Sequence, residues 1–229
     1  MSISLDEAVE LTRTGDVWVF RGRSVPDRAI QSITNSPVNH VGMAVVLDDM
    51  PPLMWHAELG RSLPDMWTGT HQRGVQLHDL RDAVCVWANR YGQRAWLRQL
   101  DPPADAEMEG SVLRTIARLD GTPFPSTAQL AWRWVRGRVP AVRLPAVRLP
   151  VPQRQRATTA RERTVERDRT LETAYCAEVV AVTYEAMGLL SPGKRPNWYD
   201  PGRFWSGDDL GLQGGAQLGS EIEVRIPTR

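Results

Sequence analysis

A tandem repeat of the pentamer Ala-Val-Arg-Leu-Pro covers residues 141–150 and continues into arginine-rich sequence as far as Arg169. Proline at every fifth position cannot lie within a regular helix, because proline lacks the N–H that helical hydrogen bonding requires, and it favours extended backbone instead. We therefore interpret residues 137–170 as an insertion within a single globular domain that spans residues 1–229. The chain has 229 residues, 41% of them hydrophobic, which is enough for one domain with a sizeable core.

The rest of the sequence alternates between strand-like and helix-like hydrophobic patterns. Short apolar runs bounded by glycine, proline or aspartate predict strands, and apolar positions three and four residues apart predict helices. The predicted strands cover residues 17–20, 40–47, 53–59, 74–80, 84–89 and 221–226, and the predicted helices cover residues 4–13, 26–36, 104–120 and 126–136 together with a segment that opens near Cys176. The pattern indicates an α+β fold with a small antiparallel sheet.

Composition and charge argue against several functional classes. The formal net charge is +1, so the chain as a whole has no general attraction for nucleic acid or acidic membranes, and it contains no glycine-rich phosphate-binding motif. The longest apolar runs have the length of strands, so no transmembrane segment is expected, and the acidic N-terminus does not resemble a signal peptide. With only two cysteines, Cys85 and Cys176, we expect no disulfide framework and a reducing, cytoplasmic location.

Basic charge is concentrated between Arg133 and Arg169, which contains 11 arginines and three acidic residues. We interpret this segment as a solvated linker. The alternatives are peripheral contact with a membrane or a phosphate-rich surface, and an interaction protein that works through the arginines. No specific nucleic-acid partner is expected, because the nine tryptophans are scattered along the chain, as is typical of core and interface use.

Cys176 lies in the opening turn of a helix-like run. A helix N-terminus carries partial positive charge and unpaired N–H groups, which favour a thiolate over a thiol and can bind an oxyanion. One interpretation is therefore a nucleophilic cysteine. The other is a small apolar side chain in the core, which is where free cysteines usually lie. Cys85, in the apolar run at residues 83–88, is predicted to be part of a buried strand.

Thiol chemistry at neutral pH needs an imidazole next to the sulfur and a polar group that orients the imidazole. His40 opens a strongly apolar strand, and His56 lies on the predicted return strand of the hairpin. His71 and His78 flank Gly74 in what looks like a loop, and they are predicted to be surface residues. A zinc site made of His40, His56, His71 and Cys176 is the weaker alternative, because no close Cys-x-x-Cys or His-x-x-x-His pair is present.

Five segments, taken in order, resemble a known family. They are residues 15–22, 36–43, 55–57, 74–77 and 175–181. Together they resemble the circularly permuted branch of the NlpC/P60 papain-like superfamily, with YaeF/YiiX-type permuted amidases as the nearest relatives and lecithin retinol acyltransferase-like proteins further off. In this branch the histidine strand precedes the cysteine helix, as it does in this sequence.

The resemblance implies a permuted papain-like fold in which Cys176 is the nucleophile and His40 is its general acid and base. The family's third polar residue lies on the strand after the histidine strand. His56 matches that position, and Glu58, two residues further on and on the same face of the strand, is its rival. A helix packed across the sheet would then bring Cys176 to the face that carries His40 and His56.

The activity implied by the resemblance is that of a thiol hydrolase or acyltransferase, which cleaves an amide or ester bond through a thioester at Cys176. The implied substrates are peptide or isopeptide bonds of the cell-wall type, or the acyl groups of lipids. No cofactor and no metal are expected. The alternative from another class is a catalytically silent binding module that uses the same cleft.

Overall fold

The computed structural model describes residues 2–22, 37–58, 60, 62–122, 176–192, 198–205 and 210–227. The strands are β1 (Ser2–Ser4), β2 (Val17–Arg21), β3 (His40–Val45), β4 (Leu53–Glu58), β5 (Gly74–Asp79), β6 (Arg94–Arg98), β7 (Leu100–Asp101), β8 (Gln217–Leu218) and β9 (Ile222–Arg225). The helices are α1 (Leu5–Leu11), α2 (Leu80–Tyr91), α3 (Ala106–Leu119), α4 (Cys176–Ala186) and a 3-10 turn at Pro201–Phe204. The predicted helices at 26–36 and 126–136 and the predicted insertion at 137–170 lie outside the described residues.

Seven of these strands form one sheet in the order β1-β9-β6-β2-β3-β4-β5. All neighbours are antiparallel except β1 and β9, which are parallel, and β7 and β8 form a separate antiparallel pair. The α+β class is therefore confirmed. The sheet is larger than the small antiparallel one that was predicted, because the last strand joins both β6 and the N-terminal β1.

Each central strand places alternate side chains in two different apolar cores, because side chains along a strand point to opposite faces in turn. On β2, Val17 and Val19 belong to one core and Trp18 and Phe20 to the other. Helices α3 and α4 contribute to the first core, and α1 and α2 contribute to the second. The sheet is thus a central layer with helices on both faces.

Helix α2 corrects the predicted strand at residues 84–89. Its buried residues Leu80, Ala83, Val84 and Trp87 recur at intervals of three and four, which is the period of a helix face. The Asp79 side chain caps its start, and Gly92, with a left-handed backbone, ends it. The continuous apolar run at 83–88 makes this helical period hard to recognise in the sequence. Cys85 lies in helix α2 and not in a strand, but it is buried, as predicted.

Helix α4, which begins at Cys176, packs on β3 and β4. The indole Nε1–H of Trp55 on β4 donates to Thr183 Oγ1 over 3.1 Å, and the Thr183 hydroxyl donates to the Val179 carbonyl over 2.7 Å. Nine consecutive residues of the helix, 176–184, are buried. The helix that carries the cysteine is therefore held in a fixed position on the sheet, as was predicted.

Two buried charged side chains hold connecting segments in place. Asp16 accepts hydrogen bonds from the N–H groups of Arg13 and Leu100, and burial raises the pKa of this carboxyl to about 6. Arg98 donates to the carbonyls of Gly219, Phe204 and Leu218, and so fixes the chain that leads into β9. Among the described helices, none combines the length and apolar character that a membrane crossing would need.

Candidate functional site

Three histidines form a hydrogen-bonded row across β3, β4 and β5. His40 Nε2 lies 3.2 Å from His56 Nδ1, and His56 Nε2 lies 3.1 Å from His78 Nδ1. The row ends where His78 Nε2 lies 3.2 Å from Gln76 Oε1. His56 pairs with Gln76 across β4 and β5, so the alternation of side chains puts all four residues on one face of the sheet.

Helix α2 covers the row of histidines. Trp87 makes edge-to-face contacts with His40 and His56, at centroid distances of 4.9 and 4.8 Å. Gly42, two residues after His40 on β3, makes room for the row, because a Cβ at this position would lie 3.4 Å from His56 Cβ and would overlap Met54 Sδ. His56 and His78 are completely buried, whereas His40 is partly exposed at the end of the row.

The hydrogen bonds of Gln76 determine which ring nitrogens carry protons. Its Nε2 donates to the carbonyls of Gln72 and Gly74, so its Oε1 is the atom that faces His78 and accepts a hydrogen bond from a protonated His78 Nε2. In a neutral row, His78 Nδ1 then accepts from His56 Nε2, and His56 Nδ1 accepts from His40 Nε2. His40 Nδ1 is left unprotonated, and no described residue forms a hydrogen bond with it.

Burial keeps the imidazoles neutral. It lowers the pKa of His40 to about 3 and that of His56 well below its ordinary value, with neighbouring histidines lowering both further. Burial also lowers the pKa of His78, but there the negative charges of Glu58 and Asp65 act in the opposite direction. The row is thus uncharged at neutral pH, and His78 is the member with carboxylates close enough to favour a positive charge.

Cys176, the first residue of α4, lies at the end of β3 where the sheet opens. The pairing of β3 with β4 begins at Met43 and Trp55, so the N–H of Val41 lies outside that ladder and hydrogen-bonds the Cys176 sulfur. Burial raises the pKa of this thiol to about 11, although hydrogen bonds from the N–H groups of Val41 and Ala177 lower it in part. The side chain is only 5% exposed.

Two expectations about Cys176 are corrected by this geometry. The helix start was expected to favour a thiolate, but the loss of water around the buried sulfur outweighs the nearby N–H groups, so the resting group is a thiol. Helix α4 was expected to bring the sulfur to the histidine face, but α4 packs on the opposite face, in the core that includes Val41. Among the described residues, no hydrogen bond joins Cys176 to His40.

Of the remaining candidate residues, some lie where the sequence predicted them and one does not. His56, not Glu58, contacts His40, whereas Glu58 accepts hydrogen bonds from the Ser62 N–H and hydroxyl. His71 is exposed, as predicted, but the prediction that His78 is a surface residue is wrong. The signal for His78 was available, since it lies two residues after Gln76 on a predicted strand and therefore on the same face.

The described residues do not assemble a metal site. No group of three or more histidine, cysteine, aspartate or glutamate side chains within the described ranges could hold an ion. Both ring nitrogens of His56 and of His78 are engaged by other side chains of the row. The zinc alternative therefore has no support from the arrangement of these residues.

Comparison with known proteins adds a distant structural likeness. No protein-family model matches the chain, and no curated protein matches it. Among solved structures the chain is similar to metalloprotein YiiX from Escherichia coli O157:H7, with 18% sequence identity and a TM-score of 0.46. The alignment covers 76% of this chain and 65% of that one, so the chain spans less than two thirds of the length of YiiX. A likeness of this degree assigns no activity.

Proposed function

We propose that the chain is a cysteine-dependent hydrolase or acyltransferase with a circularly permuted papain-like fold, in which Cys176 attacks an amide or ester carbonyl and forms a thioester. One contact supports this proposal above the others. The N–H that hydrogen-bonds the Cys176 sulfur belongs to the peptide bond that joins His40 to Val41. The thiol therefore lies beside the backbone of a histidine whose Nδ1 is unprotonated.

In the proposed reaction, His40 acts as a general base. The proton leaves Cys176 Sγ for His40 Nδ1 as the sulfur attacks the carbonyl carbon, and the same nitrogen later returns a proton to the leaving group. His56 holds the other nitrogen of His40 and so fixes the ring. Proton transfer requires a rotation of the Cys176 side chain that brings Sγ within hydrogen-bond distance of His40 Nδ1, because a rotation of His40 would break its hydrogen bond with His56.

The raised pKa of Cys176 decides which form of thiol catalysis is proposed. A preformed thiolate–imidazolium pair does not suit a sulfur and an imidazole that both favour their neutral forms. Deprotonation must instead accompany attack. N–H groups at the start of α4, among them that of Ala177, are the donors available for the oxyanion that develops on the substrate carbonyl.

The substrate is proposed as a peptide-like amide, an isopeptide or the acyl group of a lipid. These bonds share an acyl carbon that can be transferred to sulfur. Transfer from the thioester to water would make the chain a hydrolase, and transfer to an amine or alcohol would make it an acyltransferase.

A catalytically silent binding module is the second candidate, and a specific observation favours it. The sulfur of Cys176 is almost inaccessible, and no hydrogen bond joins it to His40 among the described residues. Under this hypothesis the row of histidines is a structural polar network, and Cys176 is a small core residue.

Acyl transfer from p-nitrophenyl acetate near neutral pH separates the two candidates. Peptide-level mass spectrometry should find the acyl group on Cys176, and Cys176→Ser should remove that adduct. His40→Gln should slow its formation at least about tenfold, the factor that corresponds to 1.4 kcal/mol. His71→Gln is the matched control at an exposed histidine. If Cys176 is not acylated, or if His40→Gln is as fast as His71→Gln, the hydrolase proposal must be abandoned.

A further inference from the structure

We propose that His78 and Gln76 complete a proton relay with His40 and His56, in which His78 carries the positive charge when His40 accepts the proton of Cys176. This inference rests on the proposed function and deepens it, since it assigns a positioning role to two residues behind the histidine pair. The relay runs along one face of the sheet, from the partly exposed His40 to the buried end at Gln76.

The relay is continuous in its hydrogen bonds. Each contact lies between 3.1 and 3.2 Å, and each joins one ring nitrogen to the next acceptor. Gln76 cannot rotate its amide without losing the hydrogen bonds that its Nε2 donates to two carbonyls. The amide oxygen therefore sets one direction for all the N–H bonds in the row, and that direction leaves His40 Nδ1 unprotonated.

The surroundings of His78 favour a cation there more than anywhere else in the row. Glu58 and Asp65 both raise its pKa against the effect of burial, and the Leu63 carbonyl does so too, while His71 acts in the opposite direction. Asp65 is held in place by the backbone N–H of Leu77, over 2.8 Å. At His40 and His56, by contrast, burial and neighbouring histidines are the causes of the shift, and no described carboxylate offsets them.

The proton movements balance in three linked transfers. The Cys176 proton passes to His40 Nδ1 while the Nε2 proton of His40 passes to His56 Nδ1. The Nε2 proton of His56 then passes to His78 Nδ1, and His78 keeps its own proton on Nε2. The result is a Cys176 sulfur that bonds to the substrate's carbonyl carbon as its proton leaves, two neutral imidazoles with reversed tautomers, and an imidazolium at His78. Protonation of the leaving group by His40 reverses every transfer.

The tautomers can be tested directly in the wild-type protein by nitrogen-15 NMR of labelled histidine rings. At neutral pH, His40, His56 and His78 should all carry their proton on Nε2. On acidification, His78 should become doubly protonated in the same step in which His40 and His56 change to the Nδ1–H form. A titration in which His40 becomes a cation while His78 stays neutral, or an initial Nδ1–H tautomer at His56 or His78, would overturn the relay.

A variant tests whether the relay contributes to chemistry. His78→Asn should slow acylation of Cys176 by p-nitrophenyl acetate at least about tenfold, the effect of one pKa unit at the base, and should change its pH profile. His71→Asn is the matched control at an exposed histidine, and circular dichroism checks the fold of both variants. Equal rates and equal profiles for the two variants would overturn the catalytic contribution.

The two proposals fail in different ways. If wild-type Cys176 forms no acyl adduct while the tautomers switch together on acidification, the hydrolase proposal is wrong and the row still conducts protons. If Cys176 is acylated in a manner that depends on His40 but not on His78, the hydrolase proposal stands and the relay is wrong.

Discussion

The rate at which Cys176 is alkylated should keep rising with pH to higher values than it does for an ordinary cysteine. With a thiol pKa of about 11, the thiolate fraction at pH 7 is about 1 in 10,000, and it grows about tenfold with each pH unit. Alkylation of Cys176 by iodoacetamide in the substrate-free protein should therefore accelerate about a thousandfold between pH 7 and pH 10, because the thiolate is the reacting form. An ordinary cysteine, with a pKa of about 8.5, would approach its maximum rate within that range.

The assay follows each cysteine separately by peptide-level mass spectrometry under pseudo-first-order conditions. Cys85 is also buried, but it lies in α2 on the opposite face of the sheet, and it serves as an internal control for unfolding. If alkylation occurs only after global unfolding, both cysteines should be modified at the same rate. If Cys176 reacts in the folded protein, its alkylation rate should differ from that of Cys85.

A plateau in the Cys176 rate below about pH 8 would refute this reasoning. It would mean that the N–H groups of Val41 and Ala177 stabilise the thiolate by more than burial destabilises it. The proposed reaction would then start from an ion pair, and general-base removal of the proton by His40 would be unnecessary.

Three substitutions test the packing that supports the site, each by urea denaturation. Thr183→Val should cost about 1–3 kcal/mol because it leaves the buried Trp55 N–H without its acceptor; a loss below about 0.5 kcal/mol would contradict this account. Gly42→Ala should cost about 1–3 kcal/mol through overlap with Met54, and wild-type stability would show that the histidine face has spare volume. Arg98→Met should lower the free energy of unfolding by at least about 2 kcal/mol, because it leaves three carbonyl groups without their hydrogen-bond donor. An unchanged unfolding midpoint would show that water replaces the guanidinium.

Local patterns predicted five of the nine described strands and missed β1, β6, β7 and β8. The runs at 17–20, 40–47, 53–59 and 74–80 became β2 to β5 with small changes at their ends, and the segment at 221–226 became β9. The run at 84–89 did not follow its pattern, because a short apolar stretch fits a strand or a helix equally well and only its contacts in the fold decide between them. Asp79 caps the start of helix α2, and the prediction of a strand did not take this capping residue into account.

The site was harder to predict than the elements that carry it. The contact between His40 and His56 followed from the resemblance and from the hairpin, and it is present. The face on which α4 packs could not be derived, because strands such as β2 and β3 are buried on both sides and their composition does not distinguish one helix layer from the other. The pKa of Cys176 likewise depends on how much water surrounds the sulfur, which is a property of the whole fold.

The pairing of β6 with β9 has a consequence for synthesis on the ribosome. Strand β6 ends at Arg98 and its partner begins at Ile222, so β6 is an unprotected edge of the sheet while all the residues between them are translated. Strand β1 is translated before β6, and its parallel neighbour is also β9, so β1 remains without this neighbour for a longer time. Contacts between segments so distant in sequence close slowly, and exposed strand edges invite pairing with other chains. In a nascent chain of this protein, the edge of β6 that β9 later covers is therefore the place where we expect pairing with another chain.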